Sequence, residues 1–234
     1  YLDIEDIIRI AQESAVDAIH PGYGFLSENP DFVDASETAG ITFIGPDANS
    51  MRKLGSKIRA RKIAVSVNVP VMPATGPLAN NEAKIKSVAR DITYPLMVKA
   101  TWGGGGRGMR IVSSEKELIR NVDAARREAL TAFGNDEVYL EKLVQNARHV
   151  EVQILGDNSG NVVHLYERDC TIQRRHQKVV ERAPAPYLND STRHKLCTDA
   201  VKIVTESEYR NAGTVEFLQD AENGLIYFIE VNPR

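Results

Sequence analysis

"VKATWGGGGRGMRIV", Val98 to Val112, sets four consecutive glycines, then Arg107 and Gly108, between two apolar runs. Each glycine costs roughly 0.5–1 kcal/mol of ordering entropy relative to alanine once its backbone is fixed, so a bare backbone must serve a purpose here. Lys99 ends the first run and Arg107 lies within the loop. Bare amides beside cations suit a polyphosphate, because N–H groups reach its oxygens with no Cβ in the way. The stretch is not a Walker A loop, which needs G-x-x-x-x-G-K-[ST] opening a helix. It is not the dinucleotide fingerprint either, since a strand follows rather than a helix. Two strands joined by a short glycine-rich connection predict a hairpin, here a phosphate lid. The plainer alternative is a hairpin tip without a ligand.

Outward from the hairpin, the chain has two characters. Before it, "LDIEDIIRIAQES" places Ile4, Ile7, Ile8 and Ala11 on one helical face with Asp3 as cap. The strand "DAIHPGYGF", a helix opened by Asn29-Pro30 and stopped by Gly40, and the strand "ITFIG" follow, which predicts an α/β opening with parallel strands. A helical region is expected from Pro46 to about Val67. After the hairpin, Ser114 to Glu117 read as a capping box for a long helix ending at Gly134. From "EVYLEKLV" onward the pattern is β-rich, with a helix from about Asp190 to Glu208 and a closing hairpin turned at Asn223-Gly224.

Composition bounds the function. The 234 residues are 42% hydrophobic and 26% charged, as in a soluble globular chain. A net charge of -3 gives no basic field for nucleic acid, and no apolar run approaches the ~18–20 residues of a membrane span. Cys170 and Cys197 make no disulfide framework. Tyr1 opens directly on a helical pattern and Arg234 follows closely on "LIYFIEV", so the chain reads as an internal piece of a longer protein.

Two further features carry chemistry. "TIQRRHQKVVERAPAP" concentrates Arg174, Arg175, His176, Lys178 and Arg182. A solvated charged loop is one reading and an anion site for phosphate or bicarbonate the other; no aromatic interleaves the charges as nucleic-acid binding would need. Glu216 in "GTVEFLQ" and Glu230 in "FIEVNPR" lie on strands that the Asn223-Gly224 turn should pair. Strict alternation puts Phe228, Glu230 and Asn232 on one face, an oxygen-rich surface suited to Mg²⁺. His20 reads equally as a core or turn histidine.

Together "IHPGYGFLSENPDF", "KATWGGGGRGMR", "YLEKLV", "RHVEVQILGD", "ERDCTIQRRHQKVVERAPAP", "GTVEFL" and "FIEVNPR" resemble the biotin carboxylase module of biotin-dependent carboxylases, an ATP-grasp family. The resemblance covers essentially the whole chain, and Glu167 to Pro186 is its most specific run. Trp102 and the contexts of "AFGNDEVYLEKLV" and "GNVVHLYERDC" point to the pyruvate carboxylase branch.

The resemblance implies a mixed α/β and α+β chain with an ATP-grasp fold. Residues 1–45 would be the C-terminal part of a Rossmann-like N-terminal subdomain. Residues 46–234 would be the ATP-grasp domain, truncated at its C-terminal end, with a small lid at about 74–137 and an antiparallel-sheet subdomain. It implies ATP- and bicarbonate-dependent carboxylation of biotin through carboxyphosphate, with Mg²⁺ (or Mn²⁺) and with biotin carried on a separate domain. Carried over by position, Lys57 and Lys99 would contact the phosphates and Gly105 and Gly106 would cover them. Glu141, Lys142 and Val144 would hold adenine, and His149, Gln173 and His176 would line the ribose and phosphate side. Glu216, Glu230 and Asn232 would bind the metal, and Lys178 and Arg234 the bicarbonate.

The family's catalytic base and its biotin-holding arginine follow the "EVNPR" segment, so this piece is expected to bind nucleotide without turning over. The full-length protein is expected to be a homo-oligomer with no nucleic-acid or membrane partner. Its compartment would be the cytoplasm of a bacterium, or the mitochondrial matrix or cytosol of a eukaryote. Rival readings are a carbamoyl-phosphate synthetase half, which lacks "QRRHQKVVERAPAP", an acetyl-CoA, propionyl-CoA or urea carboxylase, and a non-catalytic nucleotide-binding scaffold. Intact Lys99, Glu216 and Glu230 argue against the last.

Overall fold

The computed structural model describes residues 1–101, 109–174 and 177–234. The expectations resting on Trp102, Gly105, Gly106, Arg107, Arg175 and His176 lie outside the described residues.

The chain opens with α1 (Ile4–Glu13), β1 (Ala18–Ile19), α2 (Pro30–Thr38) and β2 (Thr42–Phe43). The two short strands pair in parallel, Ala18 with Thr42 and Ile19 with Phe43, as the alternation of strand and helix predicts. Asp3 and Asn29 cap their helices, accepting from the amides of Asp6 at 3.0 Å and Asp31 at 2.8 Å. Phe32, Val33, Phe43 and Met51 form a core against which Ile4, Ile7 and Ile8 pack.

The helical region expected after Pro46 consists of two helices, α3 (Ala48–Leu54) and α4 (Lys57–Ser66). Gly55 closes the first, and the Ser56 side chain caps the second by accepting from the Arg59 amide. A serine that satisfies an orphan N–H restarts the helix on a new axis. Lys57 thereby becomes the first residue of α4.

The next unit contains α5 (Glu82–Ile92), β3 (Leu96–Ala100), β4 (Arg110–Val112), α6 (Glu115–Phe133) and β5 (Val138–Lys142). Helix α5 is additional to the elements expected from sequence. Strands run in the order β4-β3-β5, all antiparallel, so the predicted β3–β4 hairpin is present, with Leu96 opposite Val112. Leu96, Val98, Leu118, Val122, Ala125 and Leu140 are its dry core. Ser114 does precede α6, but it makes no side-chain cap. Its hydroxyl lies 3.4 Å from the Glu117 carboxylate instead, so the expected capping box is not formed. Gly134 ends α6 at φ 71, the left-handed region that glycine enters without penalty.

The largest sheet is built from β6 (Ala147–Gly156), β7 (Val162–Arg174), β8 (Gln177–Arg182), β9 (Asn211–Asp220) and β10 (Ile226–Pro233), ordered β10-β9-β6-β7-β8. Helix α7 (Asp190–Glu206) and α4 cover one face. Within the basic run, Arg174 ends β7 and Lys178 and Arg182 lie on β8, with Gln173 opposite Lys178. Val150, Val152, Ile154, Val215, Phe217, Phe228 and Val231 point to the helices. The strict alternation expected in β10 is wrong. A bulge between Phe228 and Glu230 leaves Phe228 opposite Phe217 in the core and Glu230 opposite Glu216 on the other face, because one extra residue inverts the pleat.

No helix among the described residues is long and apolar enough to cross a membrane. The tightest backbone approach in the large sheet is at Gly156, where an added Cβ would meet the Tyr209 carbonyl oxygen at 2.3 Å. Gly156→Ala should therefore lower stability by about 1–3 kcal/mol, read as a fall in the urea midpoint; an unchanged midpoint would contradict this packing.

Candidate active site

The face of the large sheet turned away from the helices carries a charged row. Arg168 on β7 is the cross-strand partner of Glu151 on β6, Glu151 of Glu216 on β9, and Glu216 of Glu230 on β10. Like charges directly opposite one another on a sheet are destabilising, so three adjacent carboxylates need compensation. It arrives from two lysines outside the row and from Arg168 at its end. Lys178 on β8 donates to Glu216 Oε1 at 2.6 Å and also to Glu151. Lys57, at the start of α4, stands 3.0 Å from Glu230. Arg168 donates through Nε to Glu151 Oε1 at 2.7 Å.

Glu216 is the centre of this arrangement and only 5% exposed. Asn232 Nδ2 donates to its Oε1 at 2.7 Å and His149 Nε2 lies 2.6 Å from its Oε2. The Gln173 amide nitrogen is 3.1 Å from His149 Nδ1. An amide nitrogen only donates, so Nδ1 accepts and Nε2–H is left to donate to Glu216. Burial alone would raise the Glu216 pKa, but hydrogen bonds from His149 and Lys178, with the charge of the Lys178 ammonium, outweigh it and bring it to about 2. Burial likewise would lower the Lys178 ammonium, yet its hydrogen bonds to Glu151 and Glu216 hold it above the ordinary lysine value.

These groups line an open cavity of about 1040 Å³ that His20, Tyr23 and Met109 also border. His20 serves a turn as well, its Nδ1 accepting from the Gly22 amide at 3.0 Å. Of the residues singled out from sequence, Lys57, His149, Gln173, Lys178, Glu216, Glu230, Asn232 and Arg234 come together here. Arg234 reaches it while pairing through Nε with Glu28 at 2.6 Å and donating to Asn232 Oδ1 at 3.2 Å. Lys99, Glu141, Lys142 and Val144 are not among the described lining residues, and the first three belong to the neighbouring three-stranded unit. Lys99 pairs with Glu141. The Lys142 ammonium binds the Tyr94 carbonyl at 2.9 Å, and its amide binds the Pro73 carbonyl at 2.8 Å.

Sequence reasoning missed Glu151, Arg168 and Gln153, which also line the cavity. The alternation in "HVEVQ" marks Glu151 and Gln153 as sharing the polar face. That signal is present in the chain, but the partners across the sheet are not announced by it.

The donor set fits a hard divalent cation. Mg²⁺ takes oxygen ligands, commonly one or two carboxylates plus phosphate oxygens and water. Glu216 and Glu230 supply two carboxylates as direct cross-strand partners, and the cations now paired with them are side chains able to move to other acceptors.

Residues 56–234 match the family model described as carbamoyl-phosphate synthase L chain, ATP binding domain, and residues 1–51 match that of biotin carboxylase, N-terminal domain. The chain belongs to this ATP-binding family, in the arrangement shared by biotin carboxylases. In particular it is 53% identical over 234 residues to the mitochondrial pyruvate carboxylase of Rattus norvegicus, covering all of this chain and 20% of that protein. The biotin carboxylase of Campylobacter jejuni, solved as a beta-gamma-ATP complex, superposes with a TM-score of 0.93 at 48% identity, over 100% of this chain and 52% of that one. The biotin carboxylase domain dimer of Hydrogenobacter thermophilus 2-oxoglutarate carboxylase, in complex with MgADP, ADP and bicarbonate, gives a TM-score of 0.90 at 45% identity, over 100% and 51%. This chain thus spans a fifth to a half of the proteins it resembles.

The depressed pKa of Glu216 has a definite sign. A carboxyl held at about 2 when folded, against an ordinary 4.5 when unfolded, adds stability that is present above 4.5 and is lost as pH falls through that window. Glu216→Gln lacks this component. Without added metal, the stability gap between wild type and Glu216→Gln should shrink as pH falls from about 5 toward 2, as followed by urea unfolding; a gap independent of pH would contradict the assignment.

Proposed function

We propose that this chain is the nucleotide-binding part of a biotin carboxylase domain of a pyruvate carboxylase. The full protein would use ATP and bicarbonate to carboxylate biotin, and the carboxyl group would pass to pyruvate to give oxaloacetate. The observation that carries the reading is the carboxylate row of Glu151, Glu216 and Glu230 beside Lys57, Lys178 and Arg234 in one cavity. Its relatives' bound ATP analogue, MgADP and bicarbonate support it. Residues 1–45 are read as the tail of a Rossmann-like subdomain and residues 46–234 as the ATP-grasp domain, with a lid at about 74–137. Biotin would arrive on a separate carrier domain, and the full-length protein would be a homo-oligomer.

Each side chain has a task in this reading. Glu141, Lys142 and Val144 face adenine, and Lys57 and Lys99 take phosphate oxygens. Gly105 and Gly106 cover the phosphates, and His149, Gln173 and His176 line the ribose and phosphate side. The lysines stand beside carboxylates, Lys57 with Glu230 and Lys99 with Glu141, so binding exchanges one anionic partner for another at little cost in desolvation. Glu216, Glu230 and Asn232 would hold Mg²⁺ or Mn²⁺, which when bound neutralises phosphate charge. Lys178 and Arg234 hold bicarbonate beyond the γ-phosphate. A bicarbonate oxygen bonds to the γ-phosphorus as ADP leaves, giving carboxyphosphate, which then breaks at its C–O bond to CO₂ and phosphate; the phosphate takes the biotin N1 proton as N1 bonds to the CO₂ carbon. Enclosure keeps water from hydrolysing that intermediate.

An acetyl-CoA, propionyl-CoA or urea carboxylase would share this site and differ in the acceptor domain. The test is bicarbonate-dependent ATP cleavage by the full-length protein, which a non-catalytic scaffold would not show. Arg234→Ala should leave the ATP dissociation constant nearly unchanged and lower bicarbonate-dependent cleavage by ~10²–10³-fold, as for loss of one donor oriented at developing charge. Wild-type bicarbonate saturation and rate in that variant would leave Arg234 only its ion pair with Glu28.

A further inference from the structure

Lys178 cannot be understood apart from Glu151, nor Glu151 apart from Arg168, a residue to which the proposed reaction gives no task. Glu151 is 4% exposed and divides its carboxylate between two cations. Oε2 accepts from Lys178. Oε1 accepts from Arg168 Nε at 2.7 Å, and the Nη2 of the same guanidinium is 2.5 Å away as an ion-pair contact. The remaining nitrogen of the fork, Nη1, donates to Gln153 Oε1 at 3.1 Å, and Glu181 stands 3.6 Å from Nε. The guanidinium is therefore held on several sides by β6 and β8, and it is the row's own terminal member, directly across from Glu151.

From this geometry we infer that Arg168 is a positioning residue for bicarbonate-dependent ATP cleavage, acting through Glu151 on the Lys178 ammonium. The inference rests on the proposed function. A buried carboxylate with one cationic partner draws that cation strongly. With Arg168 balancing its charge, Glu151 becomes a fixed, largely neutralised anchor. Lys178 can then bridge to Glu216 and still offer a donor to an anion in the cavity. Without Arg168, Glu151 claims Lys178 as its only counter-charge and the ammonium is withdrawn from the centre of the site. A lysine at 168 cannot reproduce the effect, because a point charge cannot span Glu151 and Gln153 with a planar fork.

The experiment uses the full-length protein and three readouts: MgADP affinity by calorimetry, bicarbonate-dependent ATP cleavage, and apparent bicarbonate KM. Arg168→Gln should bind MgADP within about twofold of wild type. It should cleave ATP ~10–100-fold more slowly with a raised bicarbonate KM, the usual cost of losing a partner that orients a functional group. Arg168→Lys should recover little of the loss, and it carries the test if Arg168→Gln does not fold. In a Glu151→Gln background, where there is no charge left to balance, Arg168→Gln should change the rate by less than about twofold. An equal loss in MgADP affinity, full rescue by Arg168→Lys, or an undiminished effect in the Glu151→Gln background would each overturn the inference. A wild-type protein that cleaves no ATP when bicarbonate is added would overturn the functional reading itself, and this inference with it.

Discussion

Three glutamates held shoulder to shoulder on one sheet face are the constraint around which the rest of this chain is arranged. Glu151, Glu216 and Glu230 are in direct cross-strand register on β6, β9 and β10, where each would repel its neighbour. The fold offsets that repulsion by bringing cations from separate elements: Lys57 from the start of α4, Lys178 from β8 and Arg168 from β7. The break between α3 and α4 matters for this reason. A continuous helix would have no N-terminus at Ser56, and Lys57 would lose the position from which it meets Glu230.

The same sheet is dry on its other face, and the two faces depend on one another. Val150 and Val152 flank Glu151 in sequence, and Val215 and Phe217 flank Glu216. Packing these apolar residues against α7 and α4 aims the carboxylates the opposite way. The bulge in β10 lets a strand that delivers Phe228 to the core deliver Glu230 to the site two residues later. Charge on the helix side is handled differently. Glu167 is buried there and accepts from Arg193 Nε at 2.9 Å and from the Ala185 amide at 3.0 Å, tying α7 to β7 rather than facing the cavity.

What can be read in the sequence follows from how local each signal is. The Asn223-Gly224 turn joins the strands around it, so the pairing of β9 with β10 is legible from the chain alone, while the bulge that sets Glu230 opposite Glu216 is not. The β3–β4 hairpin is legible for the same reason. The pairing of β6 with β9 crosses a long stretch of chain that includes a helix, and nothing local announces it; the place of Glu151 beside Glu216 therefore escapes a reading by motif. The inverted pleat at Phe228 is invisible to a period-two argument, which assumes that no residue is inserted. Helix α5 does have a signal, since Asn81 precedes Ile85, Val88, Ala89 and Ile92 at helical spacing. In the basic segment the density of charge distinguishes neither loop nor strand, although Arg174 ends β7 and Lys178 and Arg182 lie on β8.

If the glutamate row is a place for a metal-bound nucleotide, the metal and the nucleotide must help each other bind. ATP alone brings more negative charge to a face already crowded with carboxylates, whereas Mg²⁺ neutralises both. Calorimetric titration of this chain with ATP, with and without Mg²⁺, measures that coupling directly. The account predicts that Mg²⁺ tightens ATP binding by roughly tenfold or more, within the usual range for coupled ligands, and that Glu230→Gln removes most of the gain. Equal ATP affinity with and without Mg²⁺ would contradict it.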